Sequence, residues 1–218
     1  MEKFYFVMPA YNESANIVET VKQWYPVVEK INGIDGCEAM LAIANDGSKD
    51  DTYQVMMDLK SGGAYPYFEP INKENGGHGP TVLFLYRHAL NNGADYIFQT
   101  DSDGQTDPEE FWQMFEHRHE YDFQIGYRKG RQDGGSRVFV TKTLRLVVWL
   151  MFHEWVTDAN TPFRLMQKDR LKAIAKYGEK VDLKEFAIHH CFDGLVGLVP
   201  LELHKSVHHY GYFYRLEH

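Results

Sequence analysis

Five consecutive residues, Asp101-Ser102-Asp103-Gly104-Gln105, carry the clearest chemistry in this 218-residue chain. They follow the short apolar run Tyr96 to Gln99, so both carboxylates fall at the C-terminal tip of an expected strand. Open α/β sheets gather their ligands at such tips. Carboxylates at i and i+2, with a side-chain amide at i+4, offer hard oxygen ligands to Mg2+ or Mn2+. Such a cation keeps some waters and takes the rest of its shell from a substrate's phosphates. The same residues also suit an ordinary acidic turn, with Asp107 capping a helix that starts at Pro108. What decides between the two is the company these residues keep.

Strand-length apolar runs recur at Phe4 to Met8, Ala39 to Ala44, Tyr67 to Ile71, Tyr96 to Gln99 and Phe123 to Gly126. Between them lie stretches of helical periodicity. Helices are expected after Asn12-Glu13-Ser14, after Lys49-Asp50-Asp51, after Gly79-Pro80 and after Asp107-Pro108. This alternation predicts an α/β fold built on a doubly wound, mostly parallel sheet. Three more polar loops then reach the same edge as the acidic turn: Pro9 to Glu13, Asn45 to Thr52, and Asn72 to Gly79. Each alone is ordinary turn composition; in this order, four consecutive strands deliver them to one place.

Composition narrows the partners. A net charge of -8, from 23 basic and 31 acidic residues, argues against general binding to nucleic-acid phosphates. Positive charge is local instead: between Gly126 and Leu150 the chain carries Arg128, Lys129, Arg131, Arg137, Lys142 and Arg145 against the single acid Asp133. That region runs into the apolar stretch Leu144 to Val156, a combination suited to an anionic amphiphile and a peripheral contact with a membrane surface, and equally to a buried helix with a solvated basic edge. The stretch is shorter than the roughly 20 residues needed to cross a bilayer. Cys37 and Cys191 lack metal-ligand spacing and form no disulfide framework, and the N-terminus lacks the regions of a signal peptide, so a cytoplasmic protein is expected. One domain over residues 1–215 accounts for the chain, with Leu216-Glu217-His218 reading as the start of an appended tag.

Taken together, the four loops resemble those of the family 2 glycosyltransferases, from Phe4 to about Asp169. The resemblance implies a GT-A fold and a sugar transfer with inversion. It implies that Pro9, Tyr11, Glu13 and Asp46 border the base and ribose of a UDP- or GDP-sugar, and that Asp101, Asp103 and Gln105 hold Mg2+ or Mn2+ on its diphosphate. Lys73, a cation in the third loop, is read as reaching the same phosphates. Within the family, the chain is most similar to the dolichyl- and polyprenyl-phosphate sugar synthases. Gly126-Tyr127-Arg128 followed by Arg137 and Thr141 resembles their acceptor-phosphate arginines, and Asp158 to Arg164 resembles their Asp-x-x-x-x-Phe-Arg segment. Arg128, Arg131 and Arg137 then hold a lipid phosphate by charge-assisted hydrogen bonds, at the inner face of the cell membrane.

The pattern departs in three places. The spacing from Arg128 to Arg137 is short, Thr161-Pro162 precedes Phe163-Arg164 in place of a Gly-containing pair, and the tail from Leu195 to Tyr214 matches loosely. The acceptor is therefore open between a lipid phosphate and a saccharide hydroxyl, and the latter needs a carboxylate base, with Asp158 first and Asp193 second. Rival classes fare worse. An aspartyl-phosphate phosphatase suits Asp101 as nucleophile with Asp103 as acid, but leaves the Pro9–Glu13 and Asp46 loops without a role. A dinucleotide oxidoreductase needs glycines that Pro9 to Ser14 lacks, and a non-catalytic nucleotide-sugar-binding module has no need of the intact acidic motif. His78 reads as a solvated loop histidine, and the pairs His189-His190 and His208-His209 lack ligand spacing.

Overall fold

Side chains along β1 (Glu2–Ala10) alternate between two buried faces: Phe4, Phe6 and Met8 enter one apolar cluster, Tyr5 and Val7 the other. A central parallel strand is covered on both sides, which is why it reads as an unbroken apolar run. The computed structural model describes residues 1–128, 162–169, 171–172 and 210–216. Within them the order is β1, α1 (Ile17–Asn32), β2 (Cys37–Asp46), α2 (Thr52–Ser61), β3 (Phe68–Lys73), α3 (His78–Asn91), β4 (Tyr96–Gln99), α4 (Phe111–Glu116), β5 (Phe123–Arg128), β6 (Arg164–Gln167) and β7 (Tyr210–Leu216).

The strands form one sheet in the order β3-β2-β1-β4-β6-β5-β7. β3, β2, β1 and β4 are parallel; β6 runs antiparallel to β4 and β5, and β7 pairs parallel with β5. Strand order reverses between β1 and β4, and that junction is the switch point at which open sheets leave a crevice.

All five expected strands are present. The two additional ones, β6 and β7, have no alternation that marks them in the sequence; β6 is only four residues, Arg-Leu-Met-Gln. Helix α3 starts at His78, earlier than the expected start after Gly79-Pro80. Pro80 falls in the first turn, where a missing N–H leaves no intrahelical bond unmade. Asp107 accepts the Glu109 N–H at 2.9 Å and Pro108 opens a 3-10 turn, Pro108–Glu110, that leads into α4.

Helix α1 buries Ile17, Val21, Trp24, Val28 and Ile31 completely, a stripe at alternating spacings of four and three. Val82, Leu85, Tyr86 and Ala89 of α3 cover the opposite face. Beneath the β4 tip lies an aromatic cluster: Phe98 meets Phe163 edge-on at 4.7 Å and Trp24 at 5.2 Å, and Phe6 meets Phe111 at 4.8 Å between ring centres. Each such contact adds about 0.5–1.5 kcal/mol beyond burial, and the cluster gives the acidic turn a rigid floor. Among the described residues, no helix is long and apolar enough to cross a membrane. The stretch 144–156, and with it most of the basic region, lies outside the described residues.

Candidate active site

A cavity of about 440 Å3 opens at the β1/β4 junction, within the usual range for small-molecule sites. Pro9, Tyr11, Glu13, Asp46, Asp101 and Asp103 all line it. Three of the four loops expected at this edge are thereby brought together through residues named from the sequence alone. The third loop contributes Asn75, Gly77, His78 and Thr81, of which His78 had been read as merely solvated.

The acidic turn is stapled in place. Ser102 Oγ donates to the Pro9 carbonyl at 2.8 Å, and Thr20 Oγ1 of α1 donates to the Ser102 carbonyl at 2.8 Å. The Thr100 and Thr106 hydroxyls close its base at 2.9 Å. Asp103 is exposed and accepts the Gln105 N–H at 3.1 Å through Oδ1, whereas Asp101 is half-buried. Gln105 itself is exposed and lies outside the cavity wall.

Two carboxylates on one turn fit a hard divalent cation with an incomplete protein shell. Among the described residues, no group of three or more His, Cys, Asp or Glu side chains is arranged to hold a metal ion. A cation held here by Asp101 and Asp103 would take most of its oxygens from ligand and water, as Mg2+ does beside phosphates.

Asp46 has a different situation. Only 3% exposed, it accepts Lys73 Nζ and the Gly76 N–H (2.8 Å) on Oδ1 and the Gly77 N–H (2.9 Å) on Oδ2, while its carbonyl accepts Asn75 Nδ2 at 2.8 Å. Asp46 and Lys73 are register partners on β2 and β3, so the pairing follows directly from the sheet. The Lys73 ammonium also donates to the Glu74 carbonyl at 2.6 Å and to Thr81 Oγ1 at 3.1 Å. An ammonium has three donors, and all three are spent inside the protein. Lys73 is not among the residues that line the cavity. It struts the third loop instead. Gly47 completes the clasp, since a Cβ there would lie 2.6 Å from Asn75 N, at a φ of +59° that disfavours any side chain.

Behind the turn, the fully buried Tyr86 donates to Gln99 Oε1, and burial raises its pKa despite the neighbouring Arg164. Arg164, 2% exposed, sits opposite Gln99 in the β4/β6 register. Phe163 belongs to the aromatic floor. Arg128 ends β5, while Arg131, Arg137, Asp158 and Asp193 lie outside the described residues.

A doubly wound sheet with a cavity at its switch point, walled by paired carboxylates and by a loop from each of the first three strands, defines a nucleotide-binding α/β enzyme domain. Residues 5–176 match the family model described as Glycosyl transferase family 2, and the chain belongs to that family; it is a glycosyltransferase of the GT-A fold. Among curated proteins it is similar to the UDP-N-acetylglucosamine–dolichyl-phosphate N-acetylglucosaminyltransferase of Methanococcus voltae, 24% identical over 190 residues that cover 79% of this chain and 72% of the relative. It is also 23% identical over 143 residues to the undecaprenyl-phosphate 4-deoxy-4-formamido-L-arabinose transferase of Pseudomonas savastanoi pv. phaseolicola, covering 65% of this chain and 40% of that one.

Solved structures share the fold. Glucosyl-3-phosphoglycerate synthase from Mycobacterium tuberculosis, in complex with Mn2+, UDP-glucose and phosphoglyceric acid, superposes with a TM-score of 0.57 at 17% identity, over 77% of this chain and 57% of its own. A mannosyltransferase from Pyrobaculum calidifontis, in complex with GDP-Man and Mn2+, gives 0.54 at 13% identity, over 78% and 45%. The chain thus spans little more than half the length of the first of these structures and less than half of the second.

Proposed function

We propose that this domain, residues 1–215 as one unit, transfers a hexose-type sugar from a UDP-sugar to a polyprenyl phosphate. The observation that carries the reading is the cavity at the β1/β4 switch, where Asp101 and Asp103 face Pro9, Tyr11, Glu13 and Asp46 across one space. In this account the nucleotide lies along the first two loops, and the acidic pair holds Mg2+ or Mn2+ on the diphosphate. A cation so held neutralises charge that builds on the departing nucleoside diphosphate.

Hydrogen-bond counting favours uracil over guanine. Asp46 has three of its four acceptor positions filled, leaving one on Oδ2. Guanine presents two adjacent N–H donors to a carboxylate and needs both oxygens, whereas uracil presents one. The relatives that name UDP-N-acetylglucosamine and UDP-glucose agree with this choice.

The acceptor reading is supported by the dolichyl- and undecaprenyl-phosphate relatives and by the basic run containing Arg128 and Arg137. A phosphate is already a nucleophile at neutral pH, so no general base is required of Asp158. Acceptance of a lipid phosphate places the enzyme at the inner face of the membrane. The test is a transfer assay with UDP-sugars and Mn2+, offering undecaprenyl phosphate, dolichyl phosphate and free saccharides in parallel. A sugar phospholipid product is expected, and transfer to saccharide hydroxyls alone would reject the acceptor assignment.

A further inference from the structure

We propose that Asp50 and Thr52, neither of which lines the cavity, are positioning residues that hold the Tyr11–Glu13 loop in its binding shape. The inference rests on the reading of the cavity as the nucleotide site. Thr52 is completely buried, and its hydroxyl has a single hydrogen to give. That hydrogen goes to Asp50 Oδ1, which leaves the Thr52 oxygen to accept the Glu13 N–H at 2.8 Å. Asp50 also accepts the Thr52 N–H on Oδ1 and the Ser14 N–H on Oδ2, each at 3.1 Å. An ionised carboxylate only accepts, so the chain of bonds has one polarity: Glu13 donates to Thr52, and Thr52 donates to Asp50.

A second tie lies next to it. The Asn12 N–H donates to Ser48 Oγ at 2.9 Å, and Asn12 Oδ1 accepts the Lys49 N–H at 2.8 Å. These bonds hold Asn12 at a φ of +56°, a left-handed conformation that asparagine adopts more readily than most side-chain-bearing residues because its amide bonds locally. Tyr11 and Glu13, the two residues on either side of it, both reach the cavity wall. A short surface loop with a left-handed residue at its centre is ordered by the bonds that tie it down. Residues 48–52 are those partners, and they act on the nucleotide through the first loop without touching the cavity.

The test is the calorimetric Kd for UDP with Mn2+, measured beside the thermal midpoint for the same preparations. Thr52→Val keeps the shape but neither accepts nor donates, whereas Thr52→Ser keeps the hydroxyl. The expected result is weakening of about tenfold in Thr52→Val, the order set by ordering about one residue at the moment of binding, with Thr52→Ser within twofold of wild type. Asp50→Ala, at an exposed position, should weaken UDP comparably and serves as the reading if Thr52→Val does not fold. A role in stability alone would lower the midpoint and leave the Kd of the folded protein unchanged, and that outcome overturns the proposal. If the wild-type protein binds neither UDP nor GDP, the cavity reading itself fails and this inference goes with it.

Discussion

Replacing Gly47 with alanine should cost far more than the same replacement at Gly63, although both have left-handed backbones, at φ +59° and +73°. A Cβ at Gly63 would have no atom within 4 Å, so only the backbone preference is lost, roughly 1–2 kcal/mol. At Gly47 the same Cβ would meet Asn75 N at 2.6 Å, Asn75 Cβ at 3.1 Å and Asn75 Cα at 3.2 Å. Two of these are main-chain atoms and cannot swing away, so the loop carrying Gly76 and Gly77 must move off Asp46. Overpacking of this kind adds about 1–3 kcal/mol, for a total of roughly 2–5 kcal/mol. Urea titrations of both variants give the difference directly, the shared backbone penalty cancelling. Gly47→Ala should also weaken UDP binding, because Asn75 and Gly77 form part of the cavity wall, whereas Gly63→Ala should not. Equal losses in the two variants, within about 0.5 kcal/mol, would mean that the clasp between the second and third loops is not what holds this edge together.

Lys73→Met leaves the Asp46 carboxylate buried without its cation and should destabilise by about 2–4 kcal/mol in the same titration, somewhat under the range for a fully buried pair because the lysine side chain is 17% exposed. Asp103→Asn should lower metal-dependent UDP affinity about 10–100-fold, as expected for loss of a charged ligand, while leaving the thermal midpoint of the unliganded protein unchanged. In acid, burial works to raise the Asp50 carboxyl, but hydrogen bonds from Thr52 and Ser14 outweigh it and hold the pKa at about 2. A depressed folded-state pKa contributes stability above the unfolded value and loses it below, so wild-type stability should decline between about pH 4 and pH 2, and Asp50→Asn should flatten that part of the decline. Asp95, which also has a lowered pKa through Lys168 and the Lys3 N–H despite desolvation, should behave alike when changed to asparagine.

The five strands and the gathering of their loops at one edge were legible in the sequence because buried parallel strands write continuous apolar runs, and their polar C-terminal loops must share an edge; the particular residues Pro9, Tyr11, Glu13 and Asp46 followed from the family resemblance. The fate of Lys73 was not legible. Its pairing with Asp46 depends on the β2/β3 register, and nothing in the string of residues sets Asp46 opposite Lys73. His78 reads as solvated because loop histidines usually are; it stands at the start of α3 and lines the cavity. Thr52 reads only as the end of the polar loop Asn45 to Thr52. Its hydrogen bond to Glu13 joins residues 39 positions apart, and such a bond becomes visible only when two loops lie side by side. Likewise β6, four residues of mixed polarity, is recognisable as a strand only from its place between β4 and β5.

The donor site is tested most directly by calorimetric titration of UDP and of GDP into the protein, with Mn2+ and after chelation. UDP binding should depend on Mn2+ and exceed GDP binding. Equal binding with and without the metal would contradict the role given to Asp101 and Asp103, and preference for GDP would contradict the single open acceptor position assigned to Asp46.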